Sequence, residues 1–212
     1  MGREAAVRDY GGLSAQQRRD ERRRRLIDAA RTLWGGAGLD AVSVRGVCAA
    51  SGLTHRYFYE QFANRDELLV AVAGQVREQL VQILLETSDA AGGPADQRFR
   101  AALTAFLQAF SDDPEFHRIM TTDVAGVAGL ETWEHDTLDV IADLMVQYGA
   151  EAEGVAPPNG PEARRRARFM VGGVNHLLAG WLAEPDVTAA ELAEACTEYC
   201  MALARVPAHA RR

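Results

Sequence analysis

Lysine is missing from the 212-residue chain: all 23 basic residues are arginine. Together with its alanine and glycine richness, this points to a GC-rich genome rather than to a mechanism. Cysteine is scarce. The three residues, Cys48, Cys196 and Cys200, make an odd count with no CxxC pair, which excludes a disulfide framework. Cys196 and Cys200 stand four apart, and helix geometry holds such backbones poorly for a bridge. They read as small buried residues of a reducing compartment. No apolar run reaches the length of a membrane span, and the first residues are charged, without the apolar core of an export signal. A cytoplasmic protein is expected. Alternating strand patterns, long repeats, a glycine-rich phosphate loop, metal-ligand spacing and a nucleophile elbow are also missing. Little is left on which to build an enzyme or a cofactor site.

What remains is helical periodicity and an uneven charge. Residues 1–66 hold 12 arginines against 8 acidic residues, and residues 67–212 hold 11 against 22, so a net of −7 divides into +4 and −11. A basic head on an acidic body would approach phosphate with one end only. At 48% hydrophobic residues the chain can bury a good core in one or two domains.

The most specific stretch is residues 43–67. Ser43 is placed to cap a short helix carrying Val44, Val47 and Cys48. Gly52 supplies the left-handed turn, Leu53 an apolar plug, and Thr54 the cap of a second short helix. Phe58 and Phe62, four apart, share the inward face with Leu53. His55, Arg56, Tyr57 and Tyr59 are left outward. Asn64 opens the next helix, with Glu67 three residues on as in a capping box. Groups of this kind suit a DNA groove: Arg56 a guanine edge, His55 and Tyr57 bases or sugar, and Ser43, Arg45, Thr54, Tyr59 and Arg65 phosphates. The arginines at 22–25 read either as a solvated face or as a phosphate contact.

With these elements in view, residues 23–76 resemble the DNA-binding head of the TetR family of transcriptional regulators. The matching elements are Leu26-Ile27-Asp28-Ala29-Ala30, Leu33-Trp34, Gly38, Ser43-Val44-Arg45, Ser51-Gly52-Leu53, Tyr59, Phe62 and 65–69. Arg56 and Tyr57 depart from the family pattern, where Gly and Thr are frequent. Cys48 replaces a usual Ala, and Gly46 a usual acidic residue. The resemblance implies an all-α fold: a three-helix helix-turn-helix head and a larger helical body for ligand binding and dimerisation. It implies a homodimer on a double-stranded operator, sealed by the last two helices. It also implies a small-molecule effector, with repression the commoner outcome.

The expected domains are a flexible polar arm at 1–20, the head at 21–67 and the body at 68–212. The first helix presents Leu26, Ala30, Leu33 and Trp34, and Gly35, Gly36 and Gly38 are expected to end it. Further helices are expected at 64–85, 95–110, 115–128 (short or frayed), 131–148, 162–184 and 188–204, with a loop at 149–161. Ligand walls on the first body helices are Phe99, Leu103, Phe106, Phe116 and Met120. Those further on are Trp133, Leu144, Met145, Met170, Val174 and Trp181. Each also reads as ordinary core. His117, Asp123, His135 and His176 could supply polar anchors. The rival readings are a metal- or thiol-responsive regulator using Cys196, Cys200 and the histidines, an architectural DNA binder, and an enzyme.

Overall fold

Ser14 opens the first helix. Its hydroxyl accepts from the Gln17 N–H at 3.1 Å, while the Gln17 carboxamide oxygen accepts from the Ser14 N–H at 2.7 Å. This reciprocal box satisfies two donors at the helix start, and α1 spans Ala15–Ala37. The computed structural model describes residues 14–152 and 161–205. Residues 15–20 are therefore helix and not arm, and the remainder of the expected arm, 1–13, lies outside the described residues. Helix α1 also runs through Gly35 and Gly36, where an end was expected; Gly38, at φ +93°, terminates it. Gly35 has a steric reason to lack a side chain, since a Cβ there would lie 2.4 Å from Cβ of Glu115.

A 3-10 turn at Leu39–Ala41 leads to α2 (Val44–Ser51), α3 (His55–Tyr59) and α4 (Arg65–Ala91). Then come α5 (Ala95–Asp112), α6 (Pro114–Met120), α7 (Trp133–Ala152), α8 (Pro161–Ala183) and α9 (Ala189–Ala204). No strand occurs among the described residues, as expected of an all-α fold. The helix expected over 115–128 stops at Met120. Helix α7 continues through 149–152, expected as loop, and 153–160 lie outside the described residues. Pro161 opens α8, where its fixed φ and missing N–H cost nothing. Thr188 and Glu191 form a second reciprocal box at α9, and the Thr188 amide and hydroxyl hold the Glu191 carboxyl below its usual range.

The chain separates into two compact units. The first runs to Gly74 and adds Glu115–Gly129; the second holds Gln75–Pro114 and the chain from Leu130 onward. This division differs from the expected cut between 67 and 68. Segment 115–129 joins the first unit through tertiary contacts: Trp34 Nε1 donates to Thr122 Oγ1 at 3.0 Å, and Arg118 Nη1 to the Gly36 carbonyl at 2.6 Å. The core of this unit contains Leu26, Trp34, Val47, Phe58, Phe62 and Leu69, all buried. Burying each such large side chain contributes about 1.5–3 kcal/mol.

In the second unit α7 packs on α8, α5 on α9, and α8 on α9. Ala142, Ala167 and Val171 centre the α7–α8 seam, with Leu138, Ile141, Met145 and Val146 against them. Ion pairs Arg168–Asp139 (2.5 Å) and Arg164–Asp143 (2.7 Å) flank that seam, and Arg100–Glu194 (2.6 Å) joins α5 to α9. All six side chains are exposed.

Helix α4 corrects one expectation. By length and composition it is apolar enough to cross a membrane. Its apolar residues follow a stripe rather than an unbroken run. Leu68, Leu69, Val72, Val76 and Leu80 on that stripe are buried within the protein.

Candidate nucleic-acid interface

Two short helices and a tight turn place the candidate side chains. The Ser43 hydroxyl accepts from the Gly46 N–H at 3.1 Å and starts α2. Gly52, at φ +66°, reverses the chain, with its N–H directed to the Cys48 and Ala49 carbonyls. An L-residue there would be strained. Thr54 takes the extended backbone of a cap (φ −82°, ψ 160°), yet its side chain makes no cap hydrogen bond, contrary to expectation. Glu67 N–H donates to Asn64 Oδ1 at 2.9 Å, whereas the Glu67 carboxylate accepts from Ala63 N–H rather than from Asn64.

Phe58 anchors α3. Its ring is buried, meeting Phe62 at 5.8 Å and the edge of Tyr59 at 5.3 Å between centroids. The periodicity that buries Phe58 turns its neighbours out. Thr54, His55, Arg56, Tyr57 and Tyr59 are all exposed, Tyr59 at 60% and the Arg56 side chain at 85%. Ser43 and Arg45 are exposed too.

Arg65 does not fit the expected phosphate role. Its Nε donates to the Val42 carbonyl at 2.5 Å and its Nη2 to the Leu39 carbonyl at 2.7 Å. The guanidinium thus ties the 3-10 turn and the residue after it to the start of α4, sharing the Leu39 carbonyl with the Val42 N–H at 3.1 Å.

The run at 22–25 is solvated in part: Arg24 and Arg25 are exposed and Arg22 and Arg23 half-buried, and all four have partners within the protein. Arg22 lies over the Tyr57 ring at 4.8 Å, and Arg23 over the Phe62 ring at 4.4 Å while donating to the Gln61 carbonyl. Arg25 donates to the Ser51 carbonyl at 2.5 Å, satisfying the end of α2, and Arg24 pairs with Glu21. Two stacked guanidiniums therefore brace α1 against the residues around α3. Spacing within α1 could not reveal these partners, which are 35–39 residues away. Glu60 was also missed, although its four-residue spacing from Arg56 was legible. Arg56 Nε donates to Glu60 Oε1 at 3.0 Å.

The expected ligand residues divide. Phe116, fully buried, and Met120 belong to the first unit, and the others to the second. Met145 packs into the α7–α8 seam. Leu103 and Phe106 are buried on α5, with Phe106 edge-on to Phe110 at 4.8 Å. Trp181 Nε1 donates to the Val187 carbonyl at 2.7 Å, which makes that indole part of the α8–α9 corner. Phe99, Trp133, Leu144, Met170 and Val174 are half-buried. A groove of about 480 Å³ does occur in the second unit, lined by Arg77, Glu78, Val81, Gln82, Leu85, Glu86 and Val140. None of the expected ligand residues lines it. Of the expected anchors, His135, His176 and Asp123 are exposed and His117 half-buried.

The thiol reading loses its chemical basis. Cys48, Cys196 and Cys200 are buried. Burial pushes all three thiols up, Cys200 to about 11 with a contribution from Cys196. A sensor thiol needs the thiolate. Among the described residues no three His, Cys, Asp or Glu side chains gather to hold a metal.

Comparison with known proteins agrees with this geometry. The family model "Bacterial regulatory proteins, tetR family" matches residues 26–72. The HTH-type transcriptional activator FasR of Mycolicibacterium smegmatis is 26% identical over 163 residues, 73% of this chain and 68% of FasR. A tetR-family transcriptional regulator from Streptomyces coelicolor superposes with a TM-score of 0.68 at 20% identity, covering 87% of this chain and 80% of that one. The TetR family repressor AlkX from Dietzia, implicated in biodegradation of n-alkanes, gives 0.53 at 22% identity, over 87% and 96%. Residues 26–72 are thus similar to the head of bacterial tetR-family regulatory proteins, and the chain shares the all-α fold of solved TetR-family regulators.

Proposed function

We propose that the protein is a cytoplasmic, homodimeric repressor that reads a double-stranded operator with α3 and leaves it when a small apolar molecule binds the body. The observation that supports the reading most is the split of α3 into a buried Phe58 and an exposed row of His55, Arg56, Tyr57 and Tyr59. Arg56 takes the base edge, Tyr57 and His55 bases or sugar, and Ser43, Arg45, Thr54 and Tyr59 the phosphates. Arg65 drops out of this set, since two of its donors hold backbone carbonyls and its Nη1 faces Asp66 at 3.7 Å.

Support for the homodimer comes from α8. Phe169 is 70% exposed and Leu177 41%, and α9 adds Tyr199 at 58%. Between the first two, and again at Gly180, α8 bears glycines where an added Cβ would meet nothing within 4 Å: Gly172, Gly173 and Gly180. Glycine inside a helix costs about 1 kcal/mol relative to alanine. A bare stripe flanked by exposed aromatics suits the close approach of a second copy. Two heads on one dimer then meet half-sites about 34–36 Å apart or a multiple of that spacing.

Support for an effector comes from the groove on α4 and α7. Val81, Leu85 and Val140 give it an apolar lining, and Arg77, Glu78, Gln82 and Glu86 supply polar groups. The same helix, α4, begins at Arg65, whose side chain holds the loop before α2. A molecule that binds one arrangement of α4 better than another would shift operator affinity by that difference. Among the relatives one is named an activator and another a repressor. Repression is adopted because it needs only operator occupancy.

The test uses duplexes selected from a random pool by the full-length chain. Mobility shifts with and without a panel of apolar small molecules should show release, and Val140→Arg should abolish the response while leaving DNA binding intact. Equal binding with every molecule removes the effector; failure to select any sequence removes the DNA reading. A reporter that rises on deletion supports repression, and one that falls makes the protein an activator.

A further inference from the structure

Glu60 stands where neither folding nor affinity explains a carboxylate. It ends the exposed face of α3, 38% exposed, one helical turn after Arg56. An exposed pair at this spacing adds little to stability. On a surface meant for phosphate, a negative charge weakens attachment to any duplex. The contact itself supplies a reason. Glu60 accepts from Nε of Arg56 at 3.0 Å. A guanidinium carries five N–H donors in a fixed fork, so the two terminal Nη groups remain a matched pair. That pair is the edge that meets guanine O6 and N7.

We infer that Glu60 is a positioning residue that sets sequence specificity: it holds Arg56 by Nε, presents the Nη edge to one guanine, and penalises duplexes that offer no guanine there. This rests on the reading of α3 given above. Holding one edge of a long, mobile side chain reduces the conformations in which it can grip a stray phosphate. Where the guanine is present, the pair and the base contact coexist. Where it is absent, the carboxylate keeps Arg56 partly neutralised, and the duplex meets less positive charge.

The experiment compares Kd for a duplex selected from a random pool with Kd for a random-sequence duplex of equal length, using the full-length protein at two salt concentrations. Glu60→Gln should tighten the random duplex severalfold and lower the specificity ratio by about tenfold. Glu60→Asp keeps the charge but shortens the reach, and should lower the ratio as well. In an Arg56→Ala background, Glu60→Gln should leave the ratio unchanged within about twofold, because the side chain it positions is gone. Circular dichroism melts should match the wild type for all variants, since both side chains are exposed. Equal tightening of both duplexes by Glu60→Gln, with the ratio intact, would make Glu60 a simple repulsive charge and overturn the inference. A ratio that falls as much in the Arg56→Ala background would make Glu60 a base reader in its own right, and would overturn it too. If the wild type selects no sequence, the DNA reading fails first; if it selects and the Glu60 variants keep its ratio, only this inference fails.

Discussion

Arginines that reach distant backbone carbonyls gather in the first unit, and the second adds Arg166, which donates to the Ala204 carbonyl at 3.1 Å. In the first, Arg25 reaches the Ser51 carbonyl, Arg65 those of Val42 and Leu39, and Arg118 that of Gly36. Each ties a helix end or a loop to a distant element through backbone carbonyls. In the second unit Arg100, Arg164 and Arg168 meet exposed carboxylates. There the helices are joined by apolar seams, and the ion pairs sit at the rims. The difference teaches that the head is specified residue by residue, whereas the body is specified by the pattern of its faces. A surface proposed to read DNA needs fixed side-chain directions; a body proposed to bind a small molecule and shift does not.

Substitutions in the two units separate these roles, and the greatest loss is expected at the anchor of α3. Phe58→Ala removes the anchor of α3 and should cost about 3–5 kcal/mol by urea unfolding, because a fully buried ring leaves a cavity. Arg65→Ala should cost about 3 kcal/mol, from two charge-assisted bonds to carbonyls. A loss of DNA affinity without loss of stability would instead return Arg65 to the phosphate set. Gly35→Ala forces a Cβ against the backbone of Glu115 and should destabilise by about 2 kcal/mol. Gly173→Ala, made where space is open, should raise the stability of the isolated chain by up to about 1 kcal/mol. Sedimentation equilibrium should nevertheless show a weaker dimer. A dimer of unchanged affinity would remove α8 from the seam.

The smallest effect belongs to the body's ion pairs. A hydrogen bond from Arg168, more than charge alone, lowers the Asp139 carboxyl from its ordinary value of 3.8. A carboxyl depressed on folding adds stability above its unfolded pKa and loses it as pH falls through the folded one. Because both side chains are exposed, Arg168→Ala should melt close to the wild type at pH 7, and any difference should fade only as pH falls below 3.8 and through the lowered carboxyl pKa. A large deficit at pH 7 would mean that the body, like the head, depends on single residues.

Much of the head was legible because its signals are local. Ser43, Gly52, Asn64 and the Phe58/Phe62 pair act within a turn or two of themselves. The α1 start was legible as well: Ser14 and Gln17 have capping-box spacing, ahead of a polar run at 16–25 that carries no apolar stripe. Glu60 could have been found from spacing alone. The arginine clamps could not, because the choice between water, phosphate and a carbonyl 23–82 residues away is made by tertiary structure. The passage of α1 through Gly35 and Gly36 has the same origin: Glu115, far along the chain, needs the space. In the body, helix identities followed from periodicity, but which side chains line the groove on α4 and α7 did not. An apolar side chain that packs a seam and one that lines a cavity share the same sequence signature.

The central claim is that the outward row of α3 enters a DNA groove. A photoreactive phenylalanine analogue at position 57, in the full-length protein mixed with its selected duplex, tests it most directly. Crosslinks confined to bases of the selected half-site, and competed away by that duplex but not by a scrambled one, are the predicted result. No crosslink from position 57 under conditions where the protein shifts the same duplex would contradict it.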